Sequence, residues 1–125
     1  MTTVRSLAIL LLLAASCRSA TAPVSIKGKW SNTTIQDGKT YEFIGYFRED
    51  GTYDGMLNGK VLVSGGTYKV TGDTIAFADA ICNKDYLGKY KVTYKEDSVR
   101  FDLISDSCTV RRQGTDGMGF KKITQ

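Results

Sequence analysis

Between residues 66 and 108 the chain alternates apolar and polar side chains with a period of two. Within this stretch Tyr90, Val92 and Tyr94 stand against Lys89, Lys91, Thr93 and Lys95, and Val99, Phe101 and Leu103 against Arg100 and Asp102. Successive side chains of a strand point to opposite faces, so this pattern dictates half-buried strands with one face on a core. A cysteine lies in each half of the stretch, Cys82 and Cys108, each soon after an aspartate, Asp79 and Asp106.

The alternation extends back towards the N-terminus. Tyr41, Phe43, Gly45 and Phe47 interleave with Glu42, Ile44, Tyr46 and Arg48, and a first strand begins at Gly28-Lys29-Trp30. Turn residues punctuate the segments: Asp37-Gly38, Glu49-Asp50-Gly51, Asn58-Gly59, Gly72-Asp73 and Glu96-Asp97. Asn-Gly between two alternating runs is a strong two-residue hairpin signal. Ser64-Gly65-Gly66 reads as a bulge or a loop, 80–86 as irregular, 109–112 as a short strand, and 119–124 as the closing strand. The sum is about eight or nine short strands with no amphipathic helix. The expected fold is all-β, a single antiparallel up-and-down barrel of about eight strands, because closure leaves no unpaired edge.

The N-terminus has a different character. Residues 1–16 carry one cation, Arg5, then an apolar run over 6–15. About 20 apolar residues are needed to span a bilayer core, so this run fits a secretory signal peptide. Cutting after Ser16 exposes Cys17, and Leu13-Ala14-Ala15-Ser16-Cys17 resembles the bacterial lipobox, whose cysteine is acylated. The chain has three cysteines. If Cys82 pairs with Cys108, as the export reading favours, Cys17 is left over for lipidation. In the chain-entropy model such a bridge is worth about 3–4 kcal/mol. Residues 17–26 are small and polar, contain the only proline, and read as a lipidated tether; the barrel domain then occupies 27–125. The expected location is the cell envelope, anchored to a membrane surface. In a Gram-negative cell that is the outer membrane facing the periplasm.

Several function classes are disfavoured. The chain has no histidine, which removes the commonest general base and zinc ligand. Its aspartates mostly fall in turns, where they read as solvated. No enzyme activity, metal or cofactor is expected. The net charge of +4 is spread singly along strands, so nucleic-acid binding is not expected either. The best hint of binding is aromatic. Tyr41, Phe43, Tyr68 and Phe77, with Tyr90, Tyr94 and Phe101, fall on one inner face. Inward tyrosine hydroxyls require partners, which fits either a wet, ligand-lined interior or a filled core with hydroxyls reaching the rim.

These residues also carry a family resemblance. Gly28-x-Trp30 with a late arginine resembles the lipocalin framework, in which the Trp closes one barrel end and the Arg packs across it. The resemblance gives the second part to Arg111 or Arg112. The segments Gly-Thr-Tyr-x-Val-Thr-Gly-Asp (66–73), Cys82, Gly88-x-Tyr90 and Asp106-x-Cys108-x-x-Arg111 look like those of bacterial lipocalin-like domains. Avidin-like barrels begin similarly but rely on several tryptophans, and this chain has one. The resemblance implies a lipocalin-like barrel able to bind a small hydrophobic ligand; a monomer is expected. The alternatives are a protein-binding module, such as an envelope inhibitor of a protease or lysozyme, and a barrel with a filled core and a structural role.

Overall fold

The computed structural model describes residues 24–124; the expected signal peptide and Cys17 lie outside them. Eight strands follow one another around a closed antiparallel barrel: β1 (Gly28–Gln36), β2 (Lys39–Phe47), β3 (Thr52–Leu57), β4 (Lys60–Thr71), β5 (Thr74–Ala78), β6 (Gly88–Lys95), β7 (Ser98–Ser105) and β8 (Met118–Lys122). β8 returns to β1 with Trp30 opposite Lys122, which completes the closure. One helix, α1 (Thr109–Thr115), connects β7 to β8.

Turn chemistry sets the hairpins. At Asp37-Gly38 and at Asn58-Gly59 both residues have positive φ, the geometry that matches the twist of the flanking strands. Ser64-Gly65-Gly66 is a bulge within β4, where the register against β3 slips on either side of Gly55. Asp54 holds it, with its Oδ1 accepting the Gly65 amide at 2.9 Å.

The expected strand at 109–112 is instead the start of α1. Thr109 and Val110 favour strands locally, but tertiary partners override that preference. Cys108, the residue before the helix, is joined to Cys82 with sulfurs 2.12 Å apart. A helical turn then directs Arg111 inward to two carboxylates, Asp79 and Asp106.

The two barrel ends differ. At one end the β2–β3, β4–β5 and β6–β7 turns meet the entering chain, and Ile26, expected in the tether, is instead buried in the core. Its carbonyl accepts the Trp30 indole N–H at 2.7 Å. Residues 79–87 and α1 lie at the other end. An aromatic column centred on Phe77 occupies the middle: its ring lies 5.4 Å from Tyr53, 5.8 Å from Tyr90 and 5.8 Å from Phe101.

Candidate functional site

The inner face of the barrel does not fill its whole length. A cavity of about 300 Å³ runs from Trp30 and Phe47 at its base to α1 and the β3–β4 hairpin at its mouth. That volume is at the lower limit of small-molecule pockets, roughly 300–1,000 Å³. Its wall is mostly apolar, with Phe43, Phe77, Ile81, Phe101, Met118 and Phe120 among the residues. Part of the room comes from β2 and β3, where Gly45 pairs with Gly55 and neither brings a side chain. α1 contributes Val110, Arg111, Gly114 and Thr115 to the wall. In a helix these positions share one face, which a strand over the same residues could not provide.

A buried ion network borders the cavity. Arg111, with its side chain 4% exposed, places Nε 2.8 Å from Asp106 Oδ2 and Nη2 2.9 Å from Asp106 Oδ1. Nη2 also donates to the Tyr86 carbonyl at 2.8 Å. Nη1 lies 3.1 Å from Asp79 Oδ2, yet it finds no aligned acceptor among the described residues. Tyr90 donates its hydroxyl to Asp106 Oδ2 at 2.5 Å, and Tyr53 donates its hydroxyl to Asp79. Backbone amides complete both carboxylates: Ile81 N to Asp79 Oδ1 at 3.0 Å and Cys108 N to Asp106 Oδ1 at 2.9 Å.

Electrostatics follow from this arrangement. Burial alone drives the Asp106 pKa up, but the hydrogen bonds from Arg111, Tyr90 and the Cys108 amide outweigh it and hold the carboxyl below its usual range. Burial works against the Arg111 charge, and the two carboxylates outweigh that too, so its pKa is raised. Burial, then hydrogen bonding to a carboxylate, raises Tyr53 and Tyr90 above the usual phenol range. The network therefore sets the Arg111 guanidinium between the carboxyl groups of Asp79 and Asp106.

Glycine makes room for it. A Cβ on Gly88 would stand 2.4 Å from Asp106 Oδ2 and 2.8 Å from Arg111 Nε. The motif residues Gly88, Tyr90, Asp106, Cys108 and Arg111, separate in the sequence, are thus one cluster, with Cys82 tied to it through Cys108.

The expected Arg–Trp contact is not formed. The cation over the Trp30 ring is Lys122, 5.1 Å from its centroid, because β8 pairs there with β1. Arg111 sits at the mouth end, held by Asp79 and Asp106, and Arg112 donates to the Asp106 carbonyl at 3.3 Å. Gly28, at φ 112°, begins β1 beside the Lys122 side chain.

The aromatic set divides. Tyr41, Phe43, Phe77 and Phe101 line the cavity. Tyr90 is fully buried in the network, while Tyr68 and Tyr94 face a shallower pocket at the other end, beside Val24–Lys27. Tyr68 donates its hydroxyl to the Arg48 carbonyl. Three inward hydroxyls thus find protein acceptors: Tyr68 reaches the barrel end, as the filled-core alternative has it, while Tyr53 and Tyr90 end on buried carboxylates that neither alternative contained. Asp79 and Asp106 were missed as site residues because acids beside turns read as solvated; their spacing before the two cysteines was the available signal.

Among the described residues no group of three potential metal ligands gathers, and no helix is long and apolar enough to cross a membrane. Compared with protein-family models, curated proteins and solved structures, the chain gives no significant match to any.

Proposed function

We propose that this protein is a cell-envelope lipoprotein whose lipocalin-like barrel binds a small hydrophobic molecule. The observation that carries the reading is the cavity of about 300 Å³, apolar through most of its wall and reached from the α1 end. Apolar ligands gain roughly 25 cal/mol per Å² of surface removed from water, and a preformed cavity spares the cost of opening one. Acylation of Cys17 would hold the barrel at a membrane surface. Val24–Ile26 lie at the end remote from the mouth, which favours a mouth turned away from that membrane.

Native mass spectrometry of protein purified from its own envelope tests the reading. The expected result is a bound species of low mass, lost from Leu57→Trp, whose indole would fill the cavity from the mouth. Wild-type protein that carries no species and takes up none from an apolar extract would overturn it.

A specific observation favours a second reading, a protein-binding module. Ile35, Val61, Leu62, Leu87 and Val110 are each about half or more exposed, and all lie towards the mouth end. Apolar residues gathered on one rim mark interaction surfaces. If Leu62→Glu with Val110→Glu abolishes capture of an envelope protein while ligand uptake persists, the rim serves that partner.

A further inference from the structure

Cations that stand singly along the strands are gathered by the register of the barrel. Lys69 of β4 lies opposite Ala76 of β5, and Ala76 lies opposite Lys89 of β6. Lys91 follows two residues on, so it shares the outward face with Lys89. Neighbouring strands lie about 4.8 Å apart and two residues span about 7 Å, which sets these three positions within roughly 10 Å of their neighbours. That is about one Debye length at 0.1 M salt, so their fields add.

All three lysines are exposed, and none makes an ion pair among the described residues. The acids of this wall do not cancel them. Asp102, opposite Lys91, is held by Arg100 at 3.0 Å. Asp73, Glu96 and Asp97 lie in turns at the closed end, and Asp85 lies in the 79–87 segment. On the β1–β3 side, by contrast, Arg48 is paired with Asp54 and Lys29 lies over the Tyr46 ring.

Two further observations say what covers this wall. Leu87, two residues before Lys89, and Ile104, next to the Ser105 that pairs with Lys89, are each 53% exposed. A soluble anion has no use for such side chains, whereas a bilayer interface takes apolar groups and cations together. The entering chain also lies on this side, where Val24 shares a pocket with Val70 of β4 and Tyr94 of β6.

We propose that the outward face of β4–β7 docks on an anionic phospholipid bilayer, with Lys69, Lys89 and Lys91 against head-group phosphates and Leu87 and Ile104 at the acyl boundary. The inference rests on the envelope part of the reading above and not on the ligand. An anchor at Cys17 alone leaves the mouth turned away from the membrane. Contact through this wall tilts the barrel onto its side, so that the mouth opens along the surface.

Vesicle cosedimentation of the mature chain carrying Cys17→Ser tests the face without the acyl chain, so its failure is distinct from failure of the lipidation reading. Phosphatidylcholine vesicles with about 30 mol % phosphatidylglycerol should bind the protein, and raising NaCl from about 0.1 M to about 0.5 M should release it. Pure phosphatidylcholine should not bind it. Lys69→Gln, Lys89→Gln and Lys91→Gln combined should lower the partition coefficient at least about tenfold, since each lysine near the surface contributes several-fold. Lys29→Gln, Lys39→Gln and Lys60→Gln combined remove the same charge from elsewhere on the barrel and should lower it less than about threefold. Leu87→Ser with Ile104→Ser should weaken binding and leave its salt dependence in place. Absence of binding to the anionic vesicles would overturn the proposal whatever the variants do. Equal losses in the two lysine triples would overturn it too, because net charge and not this face would then be at work. Undiminished binding by Leu87→Ser with Ile104→Ser would also overturn it and point to a soluble polyanion as the partner.

Discussion

Asp106→Asn is the perturbation with the largest consequence for its size. Asp106 accepts from four donors: Oδ2 takes Arg111 Nε at 2.8 Å and the Tyr90 hydroxyl at 2.5 Å. Oδ1 takes Arg111 Nη2 and the Cys108 amide, both at 2.9 Å. An asparagine amide, however it is turned, puts an NH₂ group against two of those donors and removes the charge facing Arg111. Breaking a buried ion pair in this way costs about 3–5 kcal/mol. With a urea m-value of ~2 kcal/mol/M, the unfolding midpoint falls by about 2 M. Far-UV circular dichroism and Trp30 fluorescence followed through a urea series give the number. The control is Asp102→Asn, whose partner Arg100 is mostly exposed at 3.0 Å and whose loss should cost no more than ~1 kcal/mol. The acid limb adds a second readout. The folded pKa of Asp106 lies below its unfolded value of about 3.9, so its contribution is present above that pH and lost as pH falls through the folded value. Wild-type stability should drop below about pH 4, and Asp106→Asn should lack that component. An Asp106→Asn midpoint within error of Asp102→Asn would refute the reasoning.

Further expectations follow from the same geometry. Replacing Cys82 and Cys108 together with serine should lower stability by about 3–4 kcal/mol, and thiol labelling of unreduced protein should leave both unmodified. Gly88→Ala should destabilise by about 1–3 kcal/mol, read as a lowered melting temperature, because its Cβ would press on Asp106 and Arg111. Tyr53 and Tyr90 should stay protonated above the usual tyrosine range near 10, and tyrosinate absorbance should appear for them only as the barrel unfolds. The sign is that of a raised pKa: their contribution is full below about pH 10 and disappears as pH climbs towards the folded values.

Much of the barrel was legible in the sequence because it is written locally. Alternation fixes which side chains face inward, and Asp37-Gly38 and Asn58-Gly59 fix where the chain reverses. The lipobox-like setting of Cys17 left Cys82 and Cys108 as the expected pair, and these two are bonded. The site was less legible because it depends on partners far apart in the chain. Nothing near Asp79 says that Arg111 will reach it. The strand preference of Thr109-Val110 concealed the helix that carries Arg111 there. The cation for Trp30 depended on which residue of β8 pairs with β1, and that register is set by barrel closure. Tyrosines pointing inward were correctly placed on the inner face, but their hydroxyl partners, two buried carboxylates and a backbone carbonyl, could be assigned only in three dimensions.

The most direct test of a ligand site uses the one tryptophan of the chain. Trp30 is 3% exposed and stands at the base of the cavity, so its emission reports what enters. Adding N-phenyl-1-naphthylamine, an apolar acceptor for tryptophan emission, should give saturable energy transfer from Trp30 that 1-decanol reverses and that Leu57→Trp blocks as loss of saturable probe binding. Absence of saturable transfer in the wild-type protein, or a saturable signal that survives Leu57→Trp undiminished, would contradict a binding site inside the barrel.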